Sequence, residues 1–155
     1  MGNYKMLLEK NHYKSVVEQQ KQRQQLYVER SKRKQLEKRK LSLYFAKQQL
    51  QKYSNQPIYY NHFTAHIRSE HQTTGGETDD HVRKKFERWL YWRKFGATVV
   101  TECELKYKGK IIRPDLIILF NNGEIRCEEI VVSEREASIV EKKNKYPFPI
   151  EIIES

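Results

Sequence analysis

The chain has 155 residues, 37% of them hydrophobic, and 30 Lys and Arg against 20 Asp and Glu give a formal net charge of +10. It contains no run of about 18 apolar residues, which excludes a membrane-spanning helix, and its first residues lead into no apolar segment typical of secretory signals. Cys103 and Cys127 are too few for a disulfide framework. We therefore expect a cytoplasmic, reducing location and no membrane partner.

The positive charge is concentrated in the N-terminal part of the chain. Residues 1–56 hold 14 Lys and Arg and 4 Asp and Glu, whereas residues 57–155 hold 16 of each kind. Such an uneven distribution is typical of a basic arm joined to a domain with its own core. The sequence predicts a basic helical arm over 1–56, a linker over 57–78 and a neutral domain over 79–155.

The arm is predicted to form one long helix, or two with a flexible joint, because residues 4–53 contain neither Gly nor Pro. Its basic clusters are predicted to contact the phosphates of a nucleic acid through Lys32, Arg33, Lys34, Lys38, Arg39 and Lys40. A solvated helix that only aids solubility is one alternative, and a coiled coil is another. Leu36, Leu43 and Leu50 recur every seven residues, which is a weak seam for a homodimer.

The linker contains histidines and turn residues. His62 and His66 are four positions apart and would share a face on a helix, which is a weak metal-binding pattern. Residues 72–80 include two glycines and several Thr and Asp residues, which predicts a flexible connector. Asp79 or Asp80 at its end is suited to begin a helix.

The neutral domain alternates helical and strand-like segments. Asn121, Asn122 and Gly123 form a tight hairpin signal between two of the strands. The expected elements are a helix His81–Phe95, strands Ala97–Leu105, Ile111–Phe120 and Glu124–Ser133, a helix Glu134–Tyr146 and a strand Ile150–Ile153. The fold class is therefore α+β or α/β with the order α-β-β-β-α-β. The strand Ile111–Phe120 is apolar on both faces, which is typical of a central strand covered on both sides.

One acidic residue, Asp115, interrupts this apolar strand. A buried lone carboxylate is costly unless it is paired or binds a metal. The next strand brings back Glu128 and Glu129, and the hairpin turn decides which of them shares a face with Asp115. A two-residue turn favours Glu128, whereas a three-residue turn places Glu129 opposite Asp115 and leaves the more apolar set on that face, so we prefer Glu129.

Two carboxylates about 5 Å apart on antiparallel strands make a site for a hard cation. Asp115 and Glu129 are therefore the predicted metal ligands, with Mg²⁺ as the expected ion and Mn²⁺ as an alternative. An ordinary buried pair is the competing interpretation. In that case Asp115 would bond Arg113 or a loop amide, and Glu129 would pair with Arg126 or Lys142.

This arrangement resembles the PD-(D/E)XK nuclease superfamily, which has a restriction-endonuclease-like fold. The element order, Pro114-Asp115 and Glu129-x-Val131 carry the resemblance over residues 77–155. Further matches make the domain similar to CoiA-like and mobile-element nuclease domains: His81-xxx-Lys85, Gly96-Ala97, Glu102 and Glu129-Ile-Val-Val-Ser133.

The resemblance implies a metal-dependent endonuclease that hydrolyses DNA, of phage or mobile-element origin. Asp115 and Glu129 would hold the metal with the Ile130 carbonyl, and Glu102, or Glu87 in the first helix, would add an outer contact. Catalytic candidates are Asp115, Glu129, Glu102 and Glu128. Lys85 joins the residues expected to bind nucleic acid, and many nucleases of this superfamily act as dimers.

The chain departs from the superfamily at position 131, where Lys or Gln is expected and Val131 stands. A basic group would have to come from elsewhere, with Lys106, Lys108 and Lys142 as candidates. Otherwise the domain would bind nucleic acid without cutting it. The alternative functions are therefore a non-catalytic binding or assembly protein, such as a ribonucleoprotein component, and an inhibitor that blocks a nucleic-acid surface.

Overall fold

The structure, a computed structural model, describes residues 2–66, 76–131 and 144–154, and within residues 2–15 only the backbone. The described elements are helices α1 (Gly2–Gln51) and α2 (Asp79–Lys94) and strands β1 (Thr98–Thr101), β2 (Leu105–Tyr107), β3 (Lys110–Ile112), β4 (Leu116–Leu119), β5 (Ile125–Val131) and β6 (Ile150–Glu154). The class is mixed α+β, as expected. The helix predicted over Glu134–Tyr146 falls largely outside the described residues.

The long helix α1 contributes to both compact units of the chain, Met1–Arg39 and Lys40–Ser155. In the second unit, the side chains of Ala46 and Leu50 are buried in the core and Leu43 packs against it. The unit boundary therefore precedes the linker expected over 57–78. The last turns of α1 belong with the domain because their apolar side chains are buried there. The basic composition of the arm did not indicate this packing.

A four-stranded sheet in the order β1-β4-β5-β6 forms the centre of the second unit. The pairs β1–β4 and β4–β5 are antiparallel, as predicted, and β6 lies parallel to β5. The short strands β2 and β3 pair as a separate hairpin that turns at Lys108 and Gly109. All four residues of β4 are buried, which confirms a central strand covered on both faces.

Each face of the sheet has its own apolar core. On one face, Leu50 from α1 packs with side chains that include Ile117 and Cys127. On the other face, Leu116 and Ile118 belong to the core against which Trp89 and Trp92 of α2 pack. The sheet therefore lies between α2 and the end of α1, with successive residues of β4 directed to opposite faces.

The single strand predicted over Ile111–Phe120 is divided in the structure into β3 and β4. Arg113, Pro114 and Asp115 lie between them. Proline has no backbone N–H to donate to a strand ladder, which favours an interruption at this point. Asp115 therefore precedes β4 instead of lying inside it.

Helix α2 begins at Thr78, whose side-chain oxygen accepts a hydrogen bond from the backbone N–H of His81 at 3.3 Å. Thr78 is thus the N-cap in place of the expected Asp79 or Asp80. These two carboxylates lie in the first turn, where they interact favourably with the positive end of the helix dipole. The helix ends at Lys94, and Gly96 has the left-handed φ of +77° that suits glycine after a helix. This start fixes His81 in the first turn.

The heptad leucines of α1 have different environments. Leu50 is fully buried in the core of its own chain and Leu43 packs against that core, whereas Leu36 is 53% exposed. Intramolecular packing therefore uses two of the three residues in the predicted dimer seam.

Both cysteines are buried, and burial raises the pKa of the Cys103 and Cys127 thiols. No described helix contains an apolar stretch long enough to cross a membrane.

We expect Leu50→Ala to lower the free energy of unfolding by about 2–5 kcal/mol, because it opens a cavity in a packed core. Leu36→Ala is the matched control on the same helix, and we expect it to stay within about 0.5 kcal/mol of wild type because Leu36 is largely exposed. Urea titration followed by circular dichroism measures both. Equal effects of the two substitutions would contradict the packing of the α1 end against the sheet.

Candidate functional site

A cluster of charged side chains lies where three parts of the second unit meet. Glu77 and His81 come from the start of α2, Glu102 follows β1, and Asp115 precedes β4. Each position is at the end of an element, where the backbone leaves its regular ladder and a side chain is free to point toward a neighbour. Three members of the cluster, Glu77, Glu102 and Asp115, line a cleft of about 270 Å³ together with His66 and other residues that include Arg113 and Gly76. His81 lies beside this cleft, in contact with Glu77 and Asp115.

Glu77 is held in the cluster by its backbone as well as its side chain. Its N–H donates to the carbonyl of His66 at 2.6 Å, and the N–H of His66 donates to Glu77 Oε2 at 3.2 Å. This short bridge joins the segment before α2 to the segment after α1. The carboxylate of Glu77 therefore lies at a defined place beside the first turn of α2.

His81 links the two carboxylates of the cluster. Its Nε2 lies 3.0 Å from Asp115 Oδ1 and 3.3 Å from Glu77 Oε1. One ligand atom from each of Glu77, His81 and Asp115 lies within 4.8 Å of the others, and all three side chains are partly buried. Two carboxylate oxygens and an imidazole nitrogen at this separation can converge on one divalent cation.

Lys85, one turn after His81, has a fully buried side chain. Its Nζ lies 2.7 Å from Glu77 Oε1 and also donates to Glu102. Glu102 has a left-handed φ of +54°, an uncommon conformation for a residue with a side chain. Its second carboxylate oxygen lies 3.2 Å from His66 Nε2. Lys85 is thus the buried cation of an acidic cluster and cannot reach a surface phosphate, contrary to its predicted role in binding nucleic acid.

The open edge of the cleft carries an imidazole and a guanidinium. His66 and Arg113 have side chains that are 65% and 45% exposed, whereas the carboxylates beneath are mostly covered. Arg113 donates to Glu104 and lies 3.8 Å from Glu102 Oε2. It does not form the alternative pair with Asp115, whose hydrogen-bond partners are His81 and the backbone N–H of Ile130.

The strand register places Glu129 opposite Asp115. Leu116 pairs with Glu128, so the next pair outward joins positions 115 and 129, which is the register expected from a three-residue turn. Asp115 Oδ2 accepts a hydrogen bond from the N–H of Ile130 at 2.7 Å. Tyr146 donates to the Glu129 carboxylate. The pKa of the Tyr146 phenol is raised chiefly by its burial and further by this hydrogen bond.

Glu128 lies on the opposite face of β5, outside the cluster. Its side chain is fully buried, and it accepts hydrogen bonds from Arg88 Nε at 3.0 Å and Trp92 Nε1 at 2.7 Å. Arg88 Nη2 donates to the same carboxylate, and this bonding raises the pKa of the Arg88 guanidinium. Glu128 therefore joins α2 to the sheet, and the structure does not bring it together with the other catalytic candidates Asp115 and Glu102.

Of the suggested substitutes for a lysine at position 131, the two that the structure describes, Lys106 and Lys108, do not line the cleft. Val131 is buried, Lys106 and Lys108 are exposed on the β2–β3 hairpin, and Lys142 lies outside the described residues. His62 and His66 do not lie on a helix, so they do not share the face that the spacing suggested. The predicted phosphate contacts on α1 are all exposed: Lys32, Arg33, Lys34, Lys38, Arg39 and Lys40.

Comparison with known proteins identifies no relative. No family model, no curated protein and no solved structure matches this chain. The interpretation of the site therefore depends on its own chemistry.

The sequence did not predict Glu77 and His66 as members of the site. Glu77, His81 and Lys85 follow one another at intervals of four residues, which places them along one side of a helix start. That spacing was a usable signal for Glu77. The pairing of His66 with Glu77 joins residues 11 positions apart through a non-helical segment, which no local pattern reveals.

We expect Lys85→Met to lower the free energy of unfolding by about 3–5 kcal/mol, because it leaves two mostly covered carboxylates without their shared cation. Lys84→Met is the neighbouring control; Lys84 is only partly buried, and we expect a change of about 0.5 kcal/mol or less. Urea titration at neutral pH measures both. Similar stabilities for the two variants would show that the Glu77–Lys85–Glu102 contacts contribute little.

Proposed function

We propose that this protein is a divalent-metal-dependent nuclease with a restriction-endonuclease-like domain and a basic helix that binds the nucleic-acid backbone. The convergence of Glu77, His81 and Asp115 around a common point is the observation that carries the proposal. The resemblance of Asp115 and Glu129 to a nuclease motif supports the same chemistry. DNA is the preferred substrate because the resembled families act on it.

The residues of the cluster fit a divalent cation. Carboxylate oxygens suit Mg²⁺ and Mn²⁺ alike, whereas the imidazole of His81 favours a transition metal such as Mn²⁺. Asp115 belongs both to the ligand set predicted from the sequence and to the Glu77–His81–Asp115 cluster. We propose Glu77 and His81 as further ligands beside it, and Glu129 remains a candidate on the adjacent strand. A bound cation of this kind activates water and stabilises negative charge on a phosphate.

The residues around the cluster have distinct roles in this proposal. Lys85 and Glu102 hold the Glu77 carboxylate in place from the buried side. His66 and Arg113, at the open edge, are positioned to bind the nonbridging oxygens of a phosphate that enters the cleft. The negative charge of the carboxylates would otherwise repel the substrate, so the guanidinium of Arg113 at the entrance favours its approach.

The exposed basic residues of α1 would supply most of the affinity for nucleic acid. Arg33 has a side chain that is 83% exposed, and it shares a short segment with five other exposed cations. Backbone contacts of this kind are independent of sequence and weaken steeply as salt rises. Affinity and cleavage would then depend on different residues of the chain.

A non-catalytic protein that binds nucleic acid is the second candidate, and Val131 favours it. This buried aliphatic side chain stands where the resemblance expects a polar group that orients water. In the proposed nuclease, Lys85 supplies positive charge to the carboxylates from α2, but it does so from a fully buried position. Cleavage assays therefore decide between the two candidates.

Metal binding is tested first by thermal unfolding. At a Mn²⁺ concentration of about 100 Kd we expect a stabilisation of about 2.7 kcal/mol, which corresponds to a rise of several degrees in the melting midpoint. His81→Ala should remove this rise because it deletes one ligand. His62→Ala is the matched control, since His62 is exposed and lies outside the cluster. A rise that persists in His81→Ala would contradict the ligand assignment.

Cleavage is tested with supercoiled plasmid in Mg²⁺ or Mn²⁺. Loss of a residue that only supports a ligand costs about 10–100-fold in metal-site function, so we expect Asp115→Asn to lose more than about 100-fold. Asp79→Asn, which changes an exposed carboxylate in the first turn of α2, should retain activity. Binding of DNA without cleavage by the wild type would support the second candidate instead.

The contribution of α1 is tested by the salt dependence of DNA binding. Changing Lys32, Arg33 and Lys34 to Gln should reduce the slope of log K against log salt by up to about 2.7, since each lost duplex phosphate contact contributes about 0.9. The control changes three exposed lysines of the β2–β3 hairpin, Lys106, Lys108 and Lys110, to Gln. Equal slopes for the two variants would exclude a specific role of the α1 cluster.

A further inference from the structure

Helix α2 carries a line of residues that starts at the cleft and continues to the other end of the helix. His81, Lys84, Arg88, Tyr91 and Phe95, hereafter the α2 stripe, follow one another at alternating intervals of three and four residues, so they lie along one side of the helix. Phe95 occupies the C-cap position immediately after the last helical residue. The stripe thus begins with a residue of the proposed metal site.

The far end of the stripe is an exposed ladder of flat groups. Tyr91 and Phe95 are 44% and 70% exposed, although large aromatic side chains usually bury most of their surface. Their ring centroids lie 4.8 Å apart, and Arg88 Cζ lies 5.0 Å from the centroid of the Tyr91 ring. The Glu128 carboxylate fixes the Arg88 guanidinium, so this edge of the ladder is held in place.

The charges along α2 favour an anionic partner at this end. The carboxylates of α2 are Asp79, Asp80 and Glu87, and none follows Glu87 in the helix. Arg88, Arg93 and Lys94 all come after it. The guanidinium of Arg88 bonds the buried Glu128, and the guanidinium of Arg93 packs over the Trp89 ring and donates to the carbonyl of Asn61. Lys94, next to Phe95 in the sequence, therefore supplies the exposed cation at this end.

We propose that the α2 stripe binds a single strand of nucleic acid, with unpaired bases stacked on Tyr91 and Phe95 and the backbone leading to the cleft at His81. Exposed aromatic rings beside cations are the usual platform for unpaired bases, because every base presents a flat face to an aromatic ring. This inference rests on the proposed function, since it adds the strand that the metal site would cut.

The length of the stripe matches a short stretch of strand. His81 and Tyr91 are ten residues apart, which at a rise of 1.5 Å per residue is about 15 Å. Stacked nucleotides advance about 3.4 Å each, so about four of them span this distance. A 12-nucleotide strand is therefore long enough to occupy the stripe and the cleft together.

The test measures the binding of a fluorescent 12-nucleotide oligothymidylate to the full chain by anisotropy, in EDTA and about 300 mM salt. EDTA makes the measurement independent of metal and of cleavage, and high salt suppresses the electrostatic contribution of α1. We expect the double substitution Tyr91→Ala/Phe95→Ala to weaken binding at least about tenfold. Tyr91→Phe, which keeps the ring, should bind like wild type.

The matched control is Phe86→Ala/Leu90→Ala, which removes two exposed apolar side chains from another side of the same helix. We expect it to change affinity less than about twofold, and circular dichroism with thermal unfolding verifies that both doubles fold. A 12-base-pair duplex should not distinguish the Tyr91/Phe95 double from wild type, because its bases are already stacked. Equal weakening by both doubles, equal weakening for the duplex, or no binding by wild type would overturn the proposal.

Failure of this inference and failure of the proposed function have different results. If Asp115→Asn abolishes cleavage while the Tyr91/Phe95 double binds oligothymidylate normally, the nuclease stands and the stripe is not its strand site. If wild type cuts nothing but the double loses binding, the stripe stands as a binding surface without a nuclease. The two measurements use different variants and different readouts.

Discussion

The buried ammonium group of Lys85, between the carboxylates of Glu77 and Glu102, is the interaction on which the candidate site depends. Removing an ammonium ion from water costs several kcal/mol, which only close and well-paired carboxylates offset. These contacts tie the start of α2 to the segment before it and to the end of β1. His81 then lies between Glu77 and Asp115 because its neighbours on both sides are fixed.

A second buried ion pair fixes α2 against the sheet about one turn further along. Arg88 bonds Glu128 of β5, and Trp92 adds a further hydrogen bond to the same carboxylate. Lys85 and Arg88 therefore hold successive turns of α2. Lys85 does so at the acidic cluster, and Arg88 does so through Glu128 of β5. Rotation of α2 about its axis would break both ion pairs and leave buried charges without partners. This restraint orients His81 toward the cleft and also the outer residues Tyr91 and Phe95.

Much of the domain could be predicted because its signals are local. The start of α2, the Asn121–Gly123 turn and the apolar run of β4 each depend on residues close in the sequence, and the turn length also predicted that Glu129 lies opposite Asp115. The burial of Leu50 was not predicted, because the core of one unit includes the end of a helix whose residues 18–40 are mostly polar. Glu77 was missed because a backbone bridge to His66 places it.

The position of the buried cation bears on the chemistry of the cluster. Glu77 Oε1 contacts both Lys85 and His81, so one of the two carboxylates that pair with the ammonium ion is also a member of the proposed ligand set. A divalent cation at the cluster would share Glu77 with Lys85 instead of displacing it, because the second glutamate, Glu102, keeps the ammonium paired on its far side. Binding of the cation would then change the net charge of the cluster without breaking the contacts of Lys85 with Glu77 and Glu102. Lys85 thus places a positive charge among the carboxylates from helix α2. The adjacent strand β5, by contrast, carries the aliphatic side chain of Val131.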